Sequence, residues 1–166
     1  MTMFTATHND DRELVLTRLI DVPRHKLFRC WTEPELIVQW FTPPPWKTVR
    51  AELDVRQGGS SCITMQGPDG NEVPNRGLYL DVVPNERLVF TDAYTSAWQL
   101  SAKPFFTCVL TFEVEDGKTR YTARAKHWTA EDCASHDKMG FHEGWGVATD
   151  QLAALAATLC RAAYFF

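Results

Sequence analysis

Between Phe106 and His127 the chain reads FTCVLTFEVEDGKTRYTARAKH, and this stretch limits its possible folds more than any other. Phe106, Cys108, Leu110, Phe112 and Val114 recur at every second position. Successive side chains of a strand point to opposite faces, so this alternation buries one face and leaves the other to water. Asp116-Gly117 follows, a pair suited to the positive φ angles of a two-residue hairpin turn. Tyr121, Ala123, Ala125 and His127 then resume the alternation against Arg120, Thr122, Arg124 and Lys126. Two long antiparallel strands with one apolar face need something to cover that face.

The cover comes from the change of period that follows. Thr129 and Asp132 read as a helix N-terminus, and Phe141, Trp145, Ala148, Leu152, Leu155 and Leu159 step by four and three. This predicts one long amphipathic helix, with Leu152, Leu155 and Leu159 buried. Gly140, Gly144 and Gly146 weaken its first half, and a bend or close approach is expected near Gly144-Trp145.

Upstream, Leu14, Leu16 and Ile20 alternate with Val15, Thr17 and Leu19 and predict a strand over residues 12–20. Pro23 suits the first turn of a helix carrying Leu27, Phe28 and Trp31. Thr32 and Glu35 have the capping-box spacing, which predicts a second short helix through Trp40 before Pro43-Pro44-Pro45 ends it. Further strands follow around Val49 to Val55 and Ile63 to Met65. Another has Leu78, Leu80 and Val82 on the face opposite Tyr79 and Asp81, and the next runs from Leu88 to near Tyr94. Turns at Gly58-Gly59, at residues 68–71 and at residues 84–86 separate them. The reading is α+β: a curved antiparallel sheet with its concave face toward a long C-terminal helix, and two short helices after the first strand. Residues 1–11 are expected to be a flexible N-terminus and residues 12–163 a single domain.

Of the 166 residues, 45% are hydrophobic, and the net charge is −4. A negative field opposes non-specific binding to nucleic acid, and no apolar run reaches the roughly 20 residues of a membrane span. The opening MTMFTATHNDDRE has neither a basic nor an apolar leader region, and the five cysteines are dispersed without a CxxC. Reduced thiols and a cytoplasmic location are the expectation. No nucleophile elbow, phosphate loop, dinucleotide fingerprint or H-E-x-x-H occurs, so no cofactor is expected. His127, Cys133, His136, His142 and Glu143 could ligate a metal, but His136 and His142 are six apart and share no helix face. Asp132 and His136 read as a surface ion pair, and no metal is expected.

The segments FRCWTEPELIVQWFTPP, DVRQGG, RGLYLDVVPNERLVFTDAY, KPFFTCVLTFE and MGFHEGWGVATDQLAALA together resemble the SRPBCC (START-like, Bet v 1-like) superfamily. Within it they are similar to the branch of Hsp90 ATPase activator homologues. The resemblance runs from about Glu13 to Cys160, and Trp40-Phe41, Gly58-Gly59, Pro84 through Phe90 and Gly144-Trp145 are its most specific pieces. It implies a helix-grip fold with an apolar pocket between sheet and final helix. Members carry lipids, hormones or polyketides, and some catalyse cyclisation or serve as oxygenase subunits. The Rieske spacing of those oxygenases is absent here.

Trp31, Trp40, Phe41, Tyr94, Trp98, Phe106 and Trp145, with Met139, are core or pocket wall, and both can hold for one side chain. Inward register places Asp92 and Tyr94 with Leu88 and Phe90, His127 with Tyr121, and Arg18 with Leu16. Buried polar groups of this kind need partners. Asp92 and His127 are therefore either an acid–base or ligand-orienting pair, or members of a structural network. The expected pocket takes in Trp40, Phe41, Asp92, Tyr94, Phe106, His127, Met139, His142 and Trp145. Three functions follow as expectations. The first is binding of a small apolar molecule without chemistry. The second is a cyclase or hydratase using Asp92 and His127, with His142 or Glu143 assisting. The third is a chaperone-interacting module. Pairing with a second copy of the chain is a further open partner.

Overall fold

The structure, a computed structural model, describes residues 10–159. In chain order its elements begin with β1 (Glu13–Ile20), α1 (Arg24–Thr32), α2 (Pro34–Ile37), β2 (Lys47–Leu53), β3 (Ser60–Gln66) and β4 (Glu72–Val83). They continue with β5 (Arg87–Thr91), β6 (Tyr94–Ser96), β7 (Gln99–Leu100), β8 (Phe106–Glu115) and β9 (Lys118–His127). Two helices, α3 (Ala130–Lys138) and α4 (Phe141–Thr158), close the sequence of elements. The seven long strands form one antiparallel sheet in the order β1-β9-β8-β5-β4-β3-β2, and β6 and β7 make a separate ribbon.

The β8–β9 hairpin is the spine of the sheet. Asp116 (φ 50°) and Gly117 (φ 76°) form its turn, which sets Phe112 opposite Tyr121, Leu110 opposite Ala123 and Phe106 opposite His127. Cys108, Leu110, Phe112, Tyr121, Ala123 and Ala125 are all buried on one face. Leu27, Phe28 and Trp31 of α1, with Ala148, Leu152 and Ala156 of α4, complete the core over them. This is the helix-grip arrangement expected from the sequence. Among the described residues, no helix is long and apolar enough to cross a membrane.

Several local expectations are corrected. Thr32 does not cap a second helix. It ends α1, its hydroxyl donates back to the Phe28 carbonyl at 2.8 Å, and α2 stops at Ile37. In β4 a bulge falls between Tyr79 and Asp81, so Leu78 and Tyr79 are both buried and Leu80 is exposed, which breaks simple alternation. The strand through Leu88 ends at Thr91, and Tyr94 belongs to the β6–β7 ribbon, where Trp98 is 92% exposed. The C-terminal helix is broken at Gly140, whose φ of 89° interrupts the helix, and Gly144 lies inside α4 with open space around it. Leu152 is fully buried, whereas Leu155 and Leu159 are only partly so. Arg18 shares a rung with Tyr121, yet it is exposed because β1 is an edge strand and its long side chain reaches water across Gly146. Residues 1–9 of the expected N-terminal segment, Cys160, and residues 160–163 of the expected domain lie outside the described residues.

Candidate functional site

The site begins with α1. Its buried stripe brings Trp31 to the centre of an aromatic group, with ring centroids 4.7 Å from Trp40, 5.9 Å from Phe41 and 5.7 Å from Phe90. The segment after α2 is held in place from both sides. Trp40 donates its indole N–H to the Cys30 carbonyl at 2.9 Å, and Gln151 of α4 donates to the carbonyls of Trp40 and Thr42 at 2.8 and 3.0 Å. Trp145, one turn above Phe141 on α4, stands 5.3 Å from Phe141 and 6.3 Å from Phe106.

Between these helices and the sheet lies a pocket of about 520 Å³. Trp31, Trp40, Phe90, Phe106, Tyr121 and Trp145 form its aromatic wall, and Ile63 and Met65 of β3 extend it. Arg76, Lys103 and Met139 are exposed at its rim. Gly77 lets β4 approach this wall: a Cβ there would stand 2.7 Å from the Thr91 carbonyl oxygen.

Asp92 lines the pocket, but its carboxylate faces backbone. It accepts from the Phe105 amide at 2.8 Å and the Phe106 amide at 3.1 Å, which anchors the start of β8 and orients Phe106. His127 is buried with both ring nitrogens engaged: Nδ1 lies 3.0 Å from the Arg12 carbonyl and Nε2 lies 2.8 Å from His136 Nδ1. A carbonyl can only accept, so His127 Nδ1 carries the hydrogen, its Nε2 accepts, and His136 Nδ1 donates. His136 is therefore not a surface partner of Asp132. It is 8% exposed and belongs to the pocket wall. Burial, reinforced by His127 and opposed by Asp137, lowers its pKa from 6.5 to about 4.

Of the residues singled out in the sequence, Trp40, Phe41, Asp92, Phe106, Met139 and Trp145 line this pocket, and Tyr94, His127 and His142 do not. Tyr94 leaves with the β6–β7 ribbon. His127 sits behind His136. His142 falls on the exposed side of α4, 3.3 Å from the Val15 carbonyl and 3.4 Å from Asp137. Trp31, read from the sequence as core or pocket wall, also lines it, and Phe90, Tyr121, His136 and Phe141 belong to the wall without having been assigned to it from the sequence. For His136 a signal existed: Cys133 and His136 form an i,i+3 stripe from the Thr129 cap, and both are buried. Among the described residues, no group of three or more His, Cys, Asp or Glu side chains could hold a metal ion.

Two residues that line the pocket carry a buried polar atom without a hydrogen-bond partner, the Trp31 indole nitrogen and the Ser101 hydroxyl. Burial pushes the Tyr121 phenol well up, and Cys108 adds to this. The nearby Trp31 N–H opposes it slightly without reaching hydrogen-bond geometry.

A family model described as activator of Hsp90 ATPase homolog 1-like protein matches residues 21–157. The chain belongs to this family. Solved structures of the family's SRPBCC fold superpose on it. Protein NE0264 from Nitrosomonas europaea is 38% identical with a TM-score of 0.86, over 90% of this chain and 96% of that one. Protein Ms6760 from Mycobacterium smegmatis is 25% identical with a TM-score of 0.75, over 92% and 94%. An AHSA1-like protein from Aeromonas hydrophila, 19% identical, shares the fold with a TM-score of 0.70 over 93% and 99%. No curated protein matches the chain.

Proposed function

We propose that this family member binds a small apolar molecule in the pocket between α4 and the sheet. One observation carries the reading: a space of about 520 Å³ is walled by aromatic side chains from helices and strands alike. That volume falls within the range of small-molecule sites, and the mixture of apolar wall and few polar groups is their usual composition. Acid–base chemistry by Asp92 and His127 has less support, because each spends its hydrogen-bonding atoms on other partners. The family's description names an Hsp90 ATPase activator homologue, and contact with such a chaperone is the alternative reading. A cytoplasmic location is part of the proposal, supported by free thiols at Cys30, Cys62, Cys108 and Cys133.

The test is titration with N-phenyl-1-naphthylamine, a neutral dye that brightens in apolar surroundings. Saturable one-to-one binding is expected, and Phe106→Ala is expected to weaken it about ten-fold, equivalent to about 1.4 kcal/mol. Thermal unfolding of the variant checks that its fold is kept. Absence of saturable binding by the folded wild-type protein overturns the proposal.

A further inference from the structure

We infer that the ligand of this pocket carries a neutral hydroxyl group, which donates a hydrogen bond to Nε2 of His136. The inference rests on the ligand-binding reading above and adds the chemical class of the ligand. His136 is 8% exposed and lines the pocket beside Phe106 and Phe141, with ring centroids at 5.3 and 5.1 Å. Its Nδ1 donates to Nε2 of His127, which stands behind the wall and does not line the pocket. The two nitrogens of an imidazole point to opposite sides of the ring, so Nε2 of His136 is turned away from His127, on the side that lines the pocket. The Arg12 carbonyl fixes the hydrogen of His127 on Nδ1, and His127 in turn fixes the hydrogen of His136 on Nδ1. Nε2 of His136 is therefore a bare acceptor. Among the described residues no donor meets it, and unlike the Trp31 indole nitrogen it is not sealed from solvent.

The rings packed around it, Phe105, Phe106 and Phe141, have no donor to give. The chain of hydrogen bonds that runs back to Arg12 polarises His136 and strengthens Nε2 as an acceptor. Such an atom selects a donor from whatever enters the pocket. A ketone, an ether or a carboxylate has none and would set lone pair against lone pair. An ammonium group could donate, but burial already lowers the His136 pKa to about 4. The desolvation that refuses a proton on the imidazole works equally against a cation beside it. An alcohol or phenol supplies the donor without a charge.

The experiment uses two probes of nearly the same shape, 2-naphthol and 2-methylnaphthalene, competing with N-phenyl-1-naphthylamine, whose own Kd is measured first for each protein. His136→Asn keeps an amide donor within reach of His127 and removes the atom at the Nε2 position. It is expected to weaken 2-naphthol about five-fold more than 2-methylnaphthalene, as for loss of one buried hydrogen bond. In the wild type, the imidazole 15N resonance of His136 Nε2 is expected to move toward the position of a protonated nitrogen with 2-naphthol and to stay in place with 2-methylnaphthalene. Should His136→Asn fail to fold, this resonance decides. Equal weakening of the two probes with an unmoved resonance overturns the inference and leaves the ligand-binding reading standing, as does 2-naphthol that fails to displace a bound dye. If the dye itself does not bind saturably, the ligand-binding reading has failed and the inference falls with it.

Discussion

Acid should destabilise this protein through one histidine, before its carboxylates are affected. His136 is packed among Phe105, Phe106 and Phe141, with ring centroids at 4.9, 5.3 and 5.1 Å, and its Nδ1–H is committed to His127. In the fold it stays neutral down to about pH 4, whereas its ordinary value is 6.5. As pH falls through 6.5 the unfolded chain takes up a proton that the native state refuses, so the unfolded state gains stability. The loss to the native state builds between pH 6.5 and about 4 and levels off below that, where the folded form is protonated too. At about 1.4 kcal/mol per pH unit over that interval, the full effect is about 3 kcal/mol, of which roughly 1.5 kcal/mol appears between pH 6.5 and 5. That upper window separates His136 from the carboxylates. Burial alone would raise the Glu13 carboxyl, but hydrogen bonds from Lys126 and Arg124 outweigh it and hold the group below 4.5, so its contribution is lost only at lower pH. The assay is urea unfolding in steps from pH 7.5 to 4.5, with His136→Gln as the perturbation, since glutamine still donates to His127 but does not titrate. The variant is expected to lose about 1.5 kcal/mol less than the wild type between pH 6.5 and 5. Equal slopes for the two proteins would refute the burial argument.

Two other predictions concern stability. Leu152→Ala, at a fully buried position of α4, is expected to cost about 2–5 kcal/mol in chemical unfolding, and Leu155→Ala less, because Leu155 is only partly buried. Similar costs at both sites would contradict the packing of α4. Asp92→Ala removes the acceptor for the Phe105 and Phe106 amides and is expected to cost about 2–3 kcal/mol. Hydrogen exchange would also rise at those two amides, and unchanged exchange there would count against the carboxylate as their anchor.

The sequence alone determined whatever depends on neighbours along the chain. The β8–β9 hairpin follows from strict alternation and an Asp-Gly turn, the buried stripe of α1 from helical spacing, and the start of α3 from a threonine cap at Thr129. Those signals arise from the backbone's own periods of two and 3.6 residues, so they survive without knowledge of partners. The family resemblance then supplied the topology. Tertiary structure decided the rest. The bulge beside Leu80 exists only through the pairing of β4 with β5, and it turns Tyr79 inward against the local pattern. The inward register of Asp92 leaves both an acid–base pair and a structural network open, and backbone amides thirteen and fourteen residues away claim its carboxylate for the second. His136 took the wall position expected for His127 because α3 packs against β9 and sets His136 on the His127 ring. In each case the deciding atom is distant in sequence, and a polar group driven into the interior settles on whichever partner the assembled fold brings within hydrogen-bond reach.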